Sequence, residues 1–147
     1  MKRRMARNNQ RRRAKGSAGS NKNNGAEFIT KYQQKADVHC LPSGLMYRVI
    51  EQVEGPTPTE FDTVTVNQRI LLADGAVIAD TYKESLPDKY SLQEAIPGLR
   101  EGLQLMPLGS RYEFVIPPEL AWGRKGNGSG IGPYAVMVVD ARLLKFE

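Results

Sequence analysis

The feature that most constrains the fold is a change in the spacing of apolar residues at Leu45. From there the apolar side chains alternate with a period of two, which is typical of strands buried on one face. A short helix is predicted to begin at Ile96-Pro97-Gly98 and to separate two of these strands. Proline suits the first helical position, where its missing N–H would have no partner. The alternating segments are residues 45–50, 62–73, 76–79, 89–92, 111–116 and 135–146. We therefore predict an α+β fold: a curved antiparallel sheet of five to six strands, a half-barrel, wrapped around one short helix.

The chain divides into three parts. Residues 1–24 hold nine of the 21 Lys and Arg residues and no acid, which leaves twelve basic against 16 acidic residues, a net charge of −4, for the remainder. Because this segment has few apolar groups, we predict a disordered basic tail. Asn24 followed by Glu27 resembles a capping box and predicts a helix of about three turns. Residues 25–43 are therefore interpreted as a short helix and linker, and residues 44–147 as the folded domain.

Two interpretations of the basic tail stay open. It is a solvated extension, or it contacts nucleic acid or the ribosome, in which case binding weakens steeply with salt. The single cysteine, Cys40, excludes an internal disulfide. The sequence has no apolar run of about 18 residues and no apolar stretch after its basic start, so neither a membrane span nor a signal peptide is predicted. We expect a cytoplasmic location and no membrane contact.

Several strings occur in an order and spacing that resemble one family. They are LPSGLMYRVIEQVEG, an Asp-Gly hairpin, AIPGLREGLQLMPLGSRYEFVIPPELAWG and IGPYAVMVVDARLLKFE. Together they resemble the FKBP-type peptidyl-prolyl cis-trans isomerases, most closely the bacterial branch typified by the macrophage infectivity potentiator. The resemblance implies rotation about X-Pro bonds during protein folding, proline-containing polypeptide substrates, a macrolide as a further ligand, and neither cofactor nor metal. Relatives often carry a helical dimerisation domain in front, of which only the last helix is recognised here, so we expect a monomer.

The resemblance also assigns the catalytic residues. The pocket floor, usually an indole, corresponds to Leu99, and the main-chain N–H that holds a ligand carbonyl corresponds to Ile96. Tyr90 stands where an aromatic wall is expected. Trp122, in the string PPELAWG, replaces the usual tyrosine of the family's corner, and its indole N–H can still donate a hydrogen bond.

Five further residues are expected to bind substrate: Gln68, Ile78, Ala79, Ala95 and Val139. Gln68 replaces the usual strand tyrosine, Ile78-Ala79 replace a Phe-Asp pair, and Val139 replaces an aromatic residue. Because aromatic rings supply much of the apolar area that grips a prolyl ring, we expect a wider and less complementary site. Weakened catalysis, altered substrate choice or both would follow.

Several alternatives remain at this stage. Gln68 is either bonded to neighbouring backbone or a donor to the substrate carbonyl, since an unpaired buried amide is costly. The glycine-rich residues 123–132 are expected to form a mobile lip over the pocket. His39 beside Cys40 lacks the further ligands that a metal site needs. A non-enzymatic peptide-binding or chaperone module, or a ribosome- or RNA-associated factor, remains an alternative to the enzyme.

Overall fold

A computed structural model gives the structure of the protein and describes residues 17–128 and 130–147. Within these residues the strands are β1 His39–Cys40, β2 Met46–Glu51, β3 Thr63–Leu72, β4 Val77–Asp80, β5 Asp88–Ser91, β6 Arg111–Ile116 and β7 Met137–Phe146. The α-helices are α1 Ala18–Gln33, α2 Thr81–Glu84 and α3 Pro97–Leu103, and a 3-10 helix spans Pro118–Leu120.

The strands form one antiparallel sheet in the order β1-β2-β6-β7-β3-β4, with β5 also paired to β3. This confirms the predicted α+β fold of an antiparallel sheet with a helix. The described residues contain seven strands rather than five to six. The additional strand, β1, has two residues, and an alternating pattern cannot be recognised over so short a stretch.

The outer edge of β3 is shared by two short strands. β5 pairs with Thr63 to Val66, whereas β4 pairs with Arg69 to Leu71. Between them the Gln68 N–H donates to the Thr81 hydroxyl over 2.8 Å, where a further strand would otherwise supply an acceptor. Thr81 is buried and begins α2, a one-turn helix that the sequence pattern did not predict.

Helix α3 packs against the sheet through two glycines. Its apolar side, with Leu99 and Leu103, is buried. A Cβ on Gly98 would lie 2.5 Å from Ile116 Cγ2, and one on Gly102 would lie 2.6 Å from Phe114 Cε1. Carbon atoms do not approach so closely, so these two positions set the distance between the helix and β6.

The N-terminal helix begins earlier than predicted. The Ser17 hydroxyl accepts a hydrogen bond from the Ser20 N–H over 3.2 Å and caps a helix that starts at Ala18. The interpretation of Asn24 as the cap is therefore wrong, and residues 18–24 are helical rather than disordered. Both Ser and Asn cap helices well, so composition alone does not choose between them. The rest of the predicted tail, residues 1–16, lies outside the described residues.

Helix α1 covers the face of the sheet opposite α3. Gly25 is buried so close to Val136 that a Cβ would lie 2.7 Å from its Cγ2. Tyr32 is 3% exposed and donates to Glu113 Oε1 over 2.8 Å. The buried residues between α1 and the sheet form a second core cluster, which consists of Tyr32, Met46, Val115, Val136 and Val138. No helix of the described residues is both long and apolar enough to cross a membrane.

A glycine-to-alanine pair tests the packing of α3. We expect Gly102→Ala to lower the free energy of unfolding by about 1–2 kcal/mol, because overpacking against Phe114 outweighs the better helix propensity of alanine. Gly19→Ala is the matched control, since a Cβ there meets nothing within 4 Å. It should be neutral or stabilising. Urea unfolding measures both, and equal effects of the two substitutions would contradict the packing account.

Tyr32 predicts a loss of stability at alkaline pH. Burial, followed by the hydrogen bond to Glu113, raises the pKa of its hydroxyl above the ordinary 10.0. Below pH 10 both states are protonated; above it the unfolded chain ionises first, so the free energy of unfolding falls by about 1.4 kcal/mol per pH unit for this group. Tyr32→Phe should remove this contribution to the pH dependence of the free energy of unfolding, measured by urea unfolding between pH 9 and 11. An unchanged slope would show that Tyr32 does not titrate this way.

Candidate active site

A hollow of about 320 Å³ opens between the N-terminal end of α3 and the inner face of the sheet. It has the size of small ligand sites in proteins, which are usually lined by apolar side chains with a few polar groups. Its described lining residues are Ile70, Ile78, Tyr90, Glu94, Ala95, Ile96, Leu99, Trp122, Asn127, Ile131 and Met137. Eight of these eleven are aliphatic or indole side chains, and Glu94 is the one with a formal charge.

The backbone N–H of Ile96 is a hydrogen-bond donor at the hollow. Ile96 precedes Pro97, the first residue of α3, and its carbonyl accepts from the N–H groups of Leu99 and Arg100 over 3.1 and 3.0 Å. Its own N–H has no hydrogen-bond partner among the described residues. A free N–H at a helix N-terminus carries partial positive charge and suits an oxygen acceptor.

Arg100 fixes the turn that leads into α3. Its Nε donates to the Leu92 carbonyl over 3.0 Å, and its Nη2 donates to the carbonyls of Gln93 and Ala95 over 2.7 and 3.4 Å. One guanidinium therefore ties down the turn that precedes Ile96. Periodicity cannot predict this role, because a side chain that folds back onto its own loop leaves no periodic signal.

Tyr90 forms a wall whose hydroxyl points away from a ligand. The hydroxyl donates to Gln68 Oε1 over 3.3 Å, and Gln68 Nε2 donates to Asp88 Oδ2 over 2.9 Å. Burial, and then the Asp88 carboxylate, raises the pKa of the Tyr90 hydroxyl above its ordinary value. Tyr90 therefore stays protonated and presents the flat face and edge of its ring rather than a free donor.

Trp122 lies at the lip of the hollow. It follows the 3-10 helix, and 43% of its surface is exposed. The next residue, Gly123, has φ 57° and donates to the Pro118 carbonyl over 2.8 Å, a left-handed corner that favours glycine. The corner turns the chain so that Trp122, Asn127 and Ile131 face the same opening.

Six of the nine predicted site residues meet around the hollow: Ile78, Tyr90, Ala95, Ile96, Leu99 and Trp122. Their roles in catalysis stay predictions. Gln68, Ala79 and Val139 do not line it, and their expected roles in substrate binding stay predictions as well. Gln68 is 5% exposed and bonded to Tyr90 and Asp88, so it is neither backbone-bonded through its side chain nor free for substrate. Val139 is fully buried, and both Val139 and Ala79 pair with Ile70, which does line the hollow.

The lining residues missed by the sequence analysis are Ile70, Glu94, Asn127, Ile131 and Met137. Ile70 and Met137 lie near the ends of β3 and β7, where period-two alternation indicates the buried face but not the extent of a hollow. Asn127 and Ile131 come from the loop, whose path no periodicity encodes. The Ile131 N–H donates to Asn127 Oδ1 over 3.0 Å, which closes the loop on itself.

The described residues offer no metal-binding site. Among residues 17–128 and 130–147, no group of three or more His, Cys, Asp or Glu side chains could hold a metal ion. His39 stacks on Tyr47 with ring centroids 4.7 Å apart, and Cys40 is exposed.

The comparison with protein families gives two matches. Residues 55–144 match the FKBP-type peptidyl-prolyl cis-trans isomerase family, and residues 1–49 match the domain amino-terminal to such isomerases. The chain belongs to the FKBP-type peptidyl-prolyl cis-trans isomerase family.

Curated relatives agree with this assignment. The chain is 37% identical over 130 residues to the outer membrane protein MIP of Legionella longbeachae, covering 88% of this chain and 56% of the relative. It is 37% identical over 121 residues to the FKBP-type 22 kDa peptidyl-prolyl cis-trans isomerase of Escherichia coli K12, covering 82% and 59%. The chain spans between 47% and 59% of the length of the first curated relatives it matches.

Solved structures show the same fold. FkpA from Escherichia coli superposes with a TM-score of 0.84 at 36% identity, covering 88% of this chain and 61% of that one. A peptidyl-prolyl cis-trans isomerase from Pseudomonas syringae superposes with a TM-score of 0.77 at 27% identity, covering 84% and 90%.

The amide behind Tyr90 yields a test of the site. We expect Gln68→Leu to lower the free energy of unfolding by about 1–3 kcal/mol, because the buried Tyr90 hydroxyl loses its acceptor and Asp88 loses a donor. Gln93→Leu, at an exposed position, is the matched control and should change stability little. Urea unfolding compares them. An effect of Gln68→Leu no larger than that of the control would show that the amide bonds contribute little.

Proposed function

We propose that this chain accelerates rotation about X-Pro peptide bonds in polypeptides. The observation that carries the proposal is the apolar hollow at the start of α3 with the unpartnered Ile96 N–H at its lining. Rotation about a peptide bond has a barrier of about 18–20 kcal/mol because resonance gives the C–N bond double-bond character. A catalyst needs no nucleophile or metal for this, only a site that favours the twisted amide over the planar one.

Three of the lining residues contribute to the preference for the twisted amide. Leu99 forms the floor for the prolyl ring, and Tyr90 offers it an aromatic wall. The Ile96 N–H holds a carbonyl oxygen of the substrate, which fixes the chain on one side of the bond that rotates. Water excluded from the hollow no longer stabilises the charge-separated planar amide, and each 1.36 kcal/mol removed from the barrier gives a tenfold gain in rate.

The same residues favour a lower activity than the family pattern implies. Leu99 stands where the family has an indole, and Ile78 stands where it has an aromatic ring. A leucine floor covers less of the prolyl ring than an indole does. We therefore propose an enzyme with reduced complementarity to the ring, and a binding module without turnover is the alternative that the same assay separates.

The proposal is tested by proline-limited refolding of a small protein and by X-Pro peptides in a protease-coupled assay. We expect Trp122→Ala to lower kcat/KM about five- to tenfold, since a half-exposed indole contributes roughly 1–1.4 kcal/mol to holding the ring. Phe61→Ala is the matched control, an aromatic residue that is 72% exposed and outside the lining. Leu99→Trp should raise kcat/KM.

The outcomes separate the two candidate functions. No rate above background at micromolar parent protein, together with saturable binding of the same peptides, would overturn the enzyme and leave a binding module. Trp122 is the one tryptophan of the chain, so its fluorescence reports occupation of the hollow directly. A macrolide that quenches or shifts this fluorescence would support the proposed second ligand.

The remaining expectations from sequence stay predictions. They are a chaperone role, a cytoplasmic location, a monomeric state and a contact of residues 1–24 with nucleic acid or the ribosome. The tail contact is separated from the rest by comparing RNA binding of the chain with and without that segment at two salt concentrations, because phosphate contacts weaken steeply with salt.

A further inference from the structure

Helix α1 contacts the loop that follows Trp122, the residue at the lip of the hollow. The Asn21 side-chain amide donates to the Pro133 carbonyl over 2.7 Å. The Lys22 ammonium lies over the Tyr134 ring, 4.1 Å from its centroid. Both contacts join a helix outside residues 55–144, the part that matches the isomerase family, to a loop inside it.

The two loop residues contacted by α1 connect directly to the corner at Trp122. The Tyr134 N–H donates to the Gly123 carbonyl over 2.8 Å, next to Trp122. Tyr134 has φ 55°, a left-handed conformation that is uncommon for a residue with a bulky side chain. Such a conformation persists only where surrounding contacts hold it, and the cation over its ring and the bond to its neighbour Pro133 are two such contacts.

Packing beneath these contacts keeps α1 at a fixed distance. Gly25, one turn further along α1, lies so near Val136 that no side chain fits between them. Val136 is in turn two residues after Tyr134 and is buried in the second core cluster. The helix is therefore seated where Asn21 and Lys22 reach the loop.

We propose that α1 is a positioning element for the lip: Asn21 and Lys22 hold residues 133–134, and through the Tyr134–Gly123 hydrogen bond they hold Trp122 over the hollow. Neither residue touches the substrate. The inference rests on the proposed function where it concerns turnover, while its structural part concerns the lip alone. It assigns to the N-terminal helix a role in substrate capture that the isomerase domain by itself would lack.

The test uses the full chain with substitutions on one helix. Asn21→Asp keeps the size of the side chain but replaces the donor with a carboxylate facing the Pro133 carbonyl. Lys22→Met removes the cation and keeps the length, whereas Lys22→Arg retains a cation over the ring. Lys31→Ala is the matched control, because Lys31 is an exposed lysine of the same helix whose 3.0 Å ion pair with Glu27 is remote from the lip. Circular dichroism establishes that each variant keeps its helices.

The first readout is independent of catalysis. We expect backbone amides of the loop from Gly123 to Tyr134 to exchange hydrogen about three- to tenfold faster in Asn21→Asp and Lys22→Met, since losing one such contact shifts a local opening equilibrium by up to roughly that factor. Acrylamide should also quench Trp122 more readily. Lys22→Arg and Lys31→Ala should match the parent. Exchange at the parental rate in both Asn21→Asp and Lys22→Met would overturn the proposal.

The second readout is the split of the kinetic constants. A displaced lip loosens substrate capture, so KM should rise about three- to tenfold while kcat changes by less than about twofold. Faster loop exchange with an unchanged KM would overturn the part of the inference that concerns substrate. If the parent protein itself shows no isomerase activity, the proposed function fails. Loop exchange still tests whether Asn21 and Lys22 hold the loop, so the two failures are distinguishable.

Discussion

The close approach of α3 to β6 is the constraint on which the rest of the structure depends. Gly98 and Gly102 let the helix lie against Ile116 and Phe114 with no side chain between them. This seating fixes where the helix begins, and hence where the unpartnered Ile96 N–H stands and how deep the Leu99 floor lies. Arg100, on the same helix, reaches back to secure the preceding turn. Floor and donor are therefore positioned by the packing of α3 on β6 together with Arg100, whereas the Tyr90 wall is held separately by the pairing of β5 with β3.

The polar group behind the wall shows how a pocket can lose an aromatic residue and remain apolar inside. Gln68 occupies a buried inward position where a bare amide would be costly. Asp88 and Tyr90, both on β5, satisfy its two ends. Since this bonding turns the Tyr90 hydroxyl away from the opening, the ring alone meets the ligand. The three residues act as one unit, and their substitution should be considered together.

Sequence reasoning predicted what depends on burial and failed where position depends on neighbours from distant segments. Strand alternation and the Ile96-Pro97-Gly98 helix start were recognisable because they report which face is buried. Val139 was expected to bind substrate, but it is fully buried and outside the lining, which alternation along one strand cannot reveal. Asn127 and Ile131 belong to a loop held by specific hydrogen bonds, and Ser17 competed with Asn24 as a helix cap on equal chemical terms. None of these leaves a periodic trace.

The short outer strands of the sheet have a consequence for a protein that would handle unfolded chains. Within residues 17–128 and 130–147, the sheet ends on one side in the two residues of β1, and on the other the long strand β3 is covered by the four-residue strands β4 and β5. An unpaired edge is a template onto which a client's extended backbone can add as a further strand, and brief edges offer few consecutive groups for it. In the proposed function, a polypeptide substrate would find few consecutive backbone groups at these edges, so side-chain contacts in the hollow would prevail over lasting backbone pairing and coaggregation would be disfavoured.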